Sequence, residues 1–354
     1  MELPDDGLKR RRRPTLEDVA RVARVSRATA SLVVRKSPLV SASTRQLVEA
    51  AMAQLGYVYN LGAARMRASQ SRTVGVVVPN LSNPFFGVLL SGIEGVLEQA
   101  GLSTFLANSN ESAVKQDTFV QRMREHGVDG LIICPAMDTV GAQMEDVQRC
   151  DIPLVQVLRK VSGTTGDYAG MDVIGGMREA IDRLLELGHR HIGFVASSLH
   201  HSAHYERIEA FRSRMAIAQL PTRETIEAES THAAARAAAK SILQVETPPT
   251  ALICHNDVIA LGLHQGFADL GLLPGRDISI VGFDSVAEAE LVRPALASVA
   301  TEPVQVGAIA AKLLLRRMQA PKAPIRTELV PTHFVERGSV GPCRERLDRR
   351  WQVI

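Results

Sequence analysis

The sequence predicts an α/β protein in two parts: a small three-helix unit at the amino terminus and a large core of parallel sheets covered by helices. Two observations predict it. Residues 15–55 hold three short amphipathic patterns, each opened by a hydroxyl residue able to cap a helix. From residue 73 onward, short apolar runs alternate with helix-length amphipathic stretches, the mark of successive βαβ units.

The first pattern begins at Thr15, with Asp18 three residues on as in a capping box. Leu16, Val19, Ala20 and Ala23 then recur at helical spacing. A break falls around Arg24, Val25 and Ser26. Ser26 is placed to cap a second helix whose inner side would carry Thr29, Ala30, Val33 and Val34, and Ser41 a third with Leu47, Val48, Ala51 and Leu55 inward. Helices this short enclose no deep core. Two of them across a tight turn match the geometry that lays one helix into a DNA major groove. Capped apolar helices occur in many folds, so the pattern alone leaves an ordinary helical hairpin open.

Charge shifts the balance between these readings. Residues 1–72 carry 14 Lys and Arg against 6 Asp and Glu, whereas the other 282 residues carry 27 against 32. The excess sits in a basic arm within 1–14 (Lys9, Arg10, Arg11, Arg12 and Arg13) and in Arg21, Arg24, Arg27, Arg35 and Arg45 of the helices. A basic run alone is usually a solvated tail; directly before a helix-turn-helix it favours double-stranded DNA. On the exposed face of the second helix, Arg27, Ala28, Ser31 and Leu32 are the candidates for base edges. Arg27 suits guanine, and Ala28 and Leu32 suit thymine methyls. Ser26, Thr29, Arg35 and Ser41 are assigned to phosphates, which set register without reading sequence.

The 354 residues, 45% of them hydrophobic, suffice for two or three domains. No run of 18 apolar residues is present, and the start MELPDDGLKRRRRP lacks the apolar stretch of a signal peptide; a cytoplasmic protein without membrane contact is expected. Cys134, Cys150, Cys254 and Cys343 are scattered, with neither a disulfide framework nor zinc-ligand spacing. The run His200, His201, Ser202, Ala203, His204 has metal-binding chemistry, but no Cys or carboxylate stands beside it at ligand spacing, so a polar loop is expected and no metal or cofactor. G-x-S-x-G, H-E-x-x-H and a phosphate loop are all missing, which argues against an enzyme.

In the core, apolar runs at 73–79, 131–134, 154–157, 192–195, 251–254 and 278–283 read as strands. Helices are expected at 85–100, 112–126, 174–188, 205–219, 232–244, 257–271 and 303–319. Ligands of open α/β sheets bind beyond the carboxyl ends of strands. Asn80, Ser82, Asn83 and Phe85 follow the first strand, Asn256 and Asp257 another, and Asp284 a third. These amides, carboxylates and an aromatic platform suit a polyhydroxylated or carboxylated metabolite. Capping of the following helix is an alternative for Asn83 and Asp257.

TLEDVARVARVSRATASLVV (15–34) and LVSASTRQLVEAAMAQLGYVYN (39–60), followed in order by VGVVVPNLSNPFF (74–86), GVDGLII (127–133), LGHRHIGFV (187–195), HNDVIALG (255–262) and DISIVGFDS (277–285), resemble the lactose/galactose-repressor family. The resemblance covers about 15–340. It implies a ligand-controlled transcription repressor, usually a homodimer on palindromic half-sites, with a periplasmic-binding-protein-like core of two doubly wound parallel-sheet subdomains. Helix-turn-helix, hinge, effector and dimerisation domain, and tail would then span 15–59, 60–72, 73–340 and 341–354. The chain would cross between the two halves of the core near 158–172, 296–303 and 328–332. The effector would be a carbohydrate or sugar acid in the cleft between those halves. Arg207, in the pattern Arg-x-x-x-Phe with Phe211, stands where the family has an effector-binding arginine. The hinge would place Met66, with Ala63 and Arg65, in the minor groove. The helices near 85–100 and 112–126 would form the dimer, and the tail, lacking leucine heptads, no tetramer.

Four departures from the family pattern stand out. Leu32 replaces a frequent Arg or His, so an unusual operator is expected. Arg24 occupies a turn that commonly uses Gly or Asn in a left-handed conformation, where a Cβ costs roughly 1–2 kcal/mol. Leu158-Arg159 replaces Asp-Arg; losing that acid while keeping Arg159 brings an acidic effector into consideration. Asp172-Val173 replaces a frequent Asp-Asn. An activator of the same architecture keeps every assignment, and a solute-binding protein shares only the core.

Overall fold

The computed structural model describes residues 14–35, 37–57, 71–149, 151–222 and 225–344. The basic arm Lys9 to Arg13, the hinge residues Ala63, Arg65 and Met66, Cys150 and the tail from 345 lie outside the described residues. The chain divides into two compact units, 1–71 and 72–354.

In the first unit, α1 (Leu16–Val22), α2 (Arg27–Val34) and α3 (Ala42–Leu55) each start at the expected hydroxyl. Thr15 closes the full capping box: its Oγ1 accepts from the Asp18 N–H at 3.3 Å, and its own N–H donates to Asp18 Oδ2 at 2.9 Å. Ser26 Oγ accepts from Thr29 N–H at 3.0 Å and Ser41 Oγ from Thr44 N–H at 3.3 Å. Each cap satisfies a donor that the first helical turn leaves unpaired. Val19, Ala20, Ala23, Ala30, Val33, Val48 and Ala51 form the small core. Leu47 corrects the sequence reading: it is 58% exposed. At 3.6 residues per turn it projects roughly 90° away from the stripe of Val48, Ala51, Met52 and Leu55. Arg24 has φ +52°, so the turn is left-handed and carries the strain of a Cβ.

The described residues of the second unit form two six-stranded sheets. The first is built from β1 (Thr73–Val78), β2 (Ser103–Asn108), β3 (Gly130–Ile133), β4 (Leu154–Val157), β5 (Asp167–Met171) and β11 (Thr327–Val330), in the order β11-β5-β4-β3-β1-β2, all parallel. The second uses β6 (Ile192–Ser197), β7 (Ile226–Ala228), β8 (Ala251–Cys254), β9 (Ser279–Asp284), β10 (Ala297–Ala300) and β12 (His333–Val335), in the order β12-β10-β9-β8-β6-β7. Only its edge strand β12 runs antiparallel, against β10.

Among the core helices, α4 (Pro84–Gln99), α5 (Ala113–Glu125) and α12 (Pro303–Gln319) pack on the first sheet or on each other. Helices α7 (Val173–Glu186), α8 (Ser202–Ile217), α9 (His232–Leu243) and α10 (Asp257–Asp269) serve the second, while α6 (Gly141–Gln148) and α11 (Glu288–Leu291) are short connectors. Gly92 and Gly307 let α4 and α12 approach closely: a Cβ on either would sit 2.1–2.2 Å from a carbonyl oxygen of the facing helix. The chain changes sheets after β5, after β10 and between β11 and β12, at the three places expected. All seven expected core helices and six expected strands are present, with bounds within three residues. No helix among the described residues is long and apolar enough to cross a membrane.

Candidate DNA-reading helix and candidate effector cleft

On α2, Arg27 and Ala28 are exposed and Ser31 and Leu32 half-exposed, so all four candidates for base contact share the open side. Ser26 and Ser41, both exposed, stand at helix N-termini, where free N–H groups and the positive end of the macrodipole favour phosphate. Thr29 Oγ1 lies 2.8 Å from Ser26 Oγ, and Arg35 folds back so that its Nε donates to Ser31 O at 3.2 Å. Arg45 is held differently: Nη2 donates to Ser37 O at 2.7 Å and ties α3 to the preceding loop.

A cleft partly open to solvent lies at the carboxyl ends of strands from both sheets. Asn83, Phe85, Arg159, Arg207, Asn256 and Asp284 all line it. Two amides do double work: Asn83 Oδ1 caps α4 by accepting from Phe85 N–H at 3.0 Å, and Asn256 Oδ1 caps α10 by accepting from Ile259 N–H at 2.9 Å.

Asp257 corrects the sequence reading. It does not line the cleft, and it is fully buried. Its Oδ1 accepts from Ser298 Oγ at 2.6 Å and its Oδ2 from Val286 N–H at 2.8 Å, fastening α10 to β10 and to the loop after β9. Burial nevertheless raises its carboxyl to about 6. Asp172 is likewise structural, accepting from Gly175 N–H at 3.0 Å to cap α7.

Arg159 also differs from expectation, because it is not a free cation. Its Nη1 donates to Glu111 Oε2 at 2.8 Å and its Nη2 to Glu111 Oε1 at 2.9 Å, while Nη1 reaches Pro135 O at 3.0 Å. Glu111, from the loop after β2, thus pairs with Arg159 from a distant part of the chain. Sequence reasoning missed it, since 48 residues separate the partners.

Arg207 is the opposite case. It is 94% buried, yet its Nε has no hydrogen-bond partner. Nη1 donates to Ala203 O at 3.2 Å, the nearest carboxylate contact is Asp284 at 4.0 Å, and the guanidinium lies 4.3 Å over the Phe283 ring. Burial pushes the Asp284 carboxyl well above its ordinary value despite Arg207. His201 and His255, also unforeseen, line the cleft, and burial followed by the nearby guanidiniums keeps both rings neutral. His255 Nδ1 is a second buried atom without a partner. Cys134 lines the cleft as well, but burial raises its thiol to about 12, which removes it as a nucleophile.

Comparison with known proteins agrees with this geometry. The family described as "Bacterial regulatory proteins, lacI family" matches residues 15–60, and "Periplasmic binding protein-like domain" matches 181–340. Catabolite control protein A of Priestia megaterium is 31% identical over 307 residues, covering 86% of this chain and 92% of the relative. The structure of the lac repressor dimer bound to operator and the anti-inducer ONPF is similar with a TM-score of 0.84 and 26% identity, over 93% of this chain and 99% of that one. A complex of the transcriptional regulator CelR with cellobiose is similar with a TM-score of 0.70 and 28% identity, over 92% and 100%.

Proposed function

This chain belongs to the lacI family of bacterial regulatory proteins, and from that premise we propose that it grips a palindromic operator as a cytoplasmic homodimer and releases or tightens that grip when a sugar enters its cleft. It is a DNA-binding transcriptional repressor with a ligand-binding core, not an enzyme. In this reading Arg27, Ala28, Ser31 and Leu32 meet base edges, Ser26, Thr29, Arg35 and Ser41 meet phosphates, and Ala63, Arg65 and Met66 act as the hinge that enters the minor groove. In this reading the protomers pair along α4 and α5; the similar lac repressor is itself a dimer.

One observation carries the effector assignment: Arg207 Nε and His255 Nδ1, both buried and both on cleft-lining residues, lack partners. A buried polar atom left unpaired costs about 1–3 kcal/mol, so the cleft is built for a molecule that supplies the missing groups. Hydroxyls do so best, because they donate to the imidazole and accept from the guanidinium. The pairing of Arg159 with Glu111 balances one of the two cleft arginines and favours a neutral sugar. The raised Asp284 supports a second reading: with that carboxyl protonated, Arg207 is uncompensated and accepts a sugar acid. Calorimetry with a panel of pentoses, hexoses, disaccharides and their aldonic and uronic acids tests both. Binding by the neutral sugars supports the first reading, and binding by the acids alone supports the second. If no compound of either class binds, the effector assignment fails.

A further inference from the structure

The connection between β6 and α8 holds the run His200 to His204, which the effector cleft uses only through His201 and Ala203. His201 caps α8, its Nδ1 accepting from His204 N–H at 3.2 Å. The His200 and His204 rings lie close together, with centroids 4.8 Å apart. The parallel pairing of β6 with β7 sets Glu227 against Ala196 and brings its carboxylate to the same spot. His200 Nε2 lies 2.9 Å from Glu227 Oε1, and one ligand atom from each of the three residues lies within 4.8 Å of the others. His204 is 97% buried, and its Nδ1 has no hydrogen-bond partner.

We propose that His200, His204 and Glu227 form a zinc site, with water in the fourth position, that joins the first turn of α8 to the edge strand β7. Two imidazoles and one carboxylate are a three-ligand set that zinc accepts, leaving one position open. Ligand atoms about 2.0–2.1 Å from a tetrahedral ion lie roughly 3.3 Å from one another, so the widest gap must close by about 1.5 Å. His200 and Glu227 have that freedom, their side chains being 50% and 48% exposed, while the buried His204 stays as the anchor. An unpaired buried imidazole nitrogen is otherwise a cost without a return.

The test uses the full-length chain, stripped with EDTA and titrated with Zn²⁺ against a chromophoric chelator, with hydrogen exchange followed across residues 198–206. The expected result is one ion per chain, slowed exchange in that segment, and binding at least about 10-fold weaker in His200→Ala and Glu227→Gln. Both residues are half-exposed, so these variants keep their fold where His204→Ala, in the interior, need not. Wild-type protein that fails to compete with the chelator overturns the proposal. So does undiminished binding by His200→Ala and Glu227→Gln, which would locate the ion at other side chains.

Discussion

Arg159 and Glu111 meet in a two-pronged ion pair, 2.8 and 2.9 Å across its arms, on the wall of the effector cleft. Their side chains are only 9% and 15% exposed, so the low-dielectric surroundings make each indispensable to the other. Glu111 sits at φ +59° and also accepts from Met137 N–H at 3.3 Å, so its position is fixed by backbone as well as by charge. Glu111→Gln leaves a buried cation unpaired and is expected to lower stability to denaturant by about 3 kcal/mol or more. Glu111→Gln combined with Arg159→Met removes that cation and should recover most of the loss. A double variant no better than the single one contradicts the pairing.

Arg207, proposed as an effector contact, is weakly tied into the fold, and its replacement separates the two roles. Arg207→Met removes a buried guanidinium with an unsatisfied Nε, and Asp284 loses only a contact at 4.0 Å while burial already favours its neutral form. Stability is expected to hold or rise, as when a functional site gives up strain. Affinity for the effector should fall by about 10–100-fold, the worth of hydrogen bonds to a charged donor. Calorimetry and a denaturation curve on the same sample measure both.

Asp257 gives a pH signature. Its carboxyl titrates near 6 in the folded chain because burial outweighs the hydrogen bonds from Ser298 and Val286, whereas an unfolded carboxyl titrates near 3.9. The folded state therefore binds the extra proton between these values, and the group's contribution to stability is present below about pH 4 and lost as pH rises to about 6. Asp257→Asn cannot titrate. The stability of the wild type relative to Asp257→Asn should thus decline by about 2–3 kcal/mol from pH 4 to pH 6.5 and then level off. A constant difference across that range contradicts the assignment.

On the headpiece, base readers and phosphate binders separate by their dependence on sequence and salt. Arg27→Ala should cost about 1–3 kcal/mol on the preferred operator and relax preference at one base pair, and Leu32→Ala should relax it at a thymine. Arg35→Ala should weaken binding almost equally on all sequences and reduce the slope of log affinity against log salt by about 1. Binding measured on operator and scrambled duplexes at several salt concentrations distinguishes the two patterns.

How far the sequence could be read depended on how local each signal was. The three caps at Thr15, Ser26 and Ser41 are written within four residues each, and all three formed. Strands made of unbroken apolar runs, such as Thr73–Val78 and Ala251–Cys254, were equally plain. β5 was not, because Asp167, Tyr168 and Gly170 break its apolar character although every one of its residues is buried. Asp167 is tolerated there only because Arg316 and Arg317, some 150 residues on, donate to its carboxylate. β2 and β7 are edge strands with mixed patterns and were missed for that reason.

The site followed the same rule. Asn83, Asn256 and Asp284, at or beyond the carboxyl ends of apolar strands, line the cleft as their place in the chain suggested. Glu111 and the approach of Glu227 to His200 depend on pairing across the fold, and no spacing in the chain announces them. Asp257 was misplaced because the residues before and after a strand-to-helix turn look alike in sequence, while only Asn256 faces the cleft.

The central claim is that occupancy of the cleft governs the hold on DNA, and linkage lets a ligand change that hold only by its differential affinity for two states of the protein. The most direct test is the affinity of the full-length chain for its preferred genomic operator, with and without the tightest-binding sugar or sugar acid, in the wild type and in Arg207→Met. The expected result is a change of about 5–150-fold on adding the compound to the wild type and almost none in Arg207→Met, with equal affinities when it is absent. An operator affinity that the compound leaves unchanged in the wild type, or changes equally in both proteins, contradicts the account.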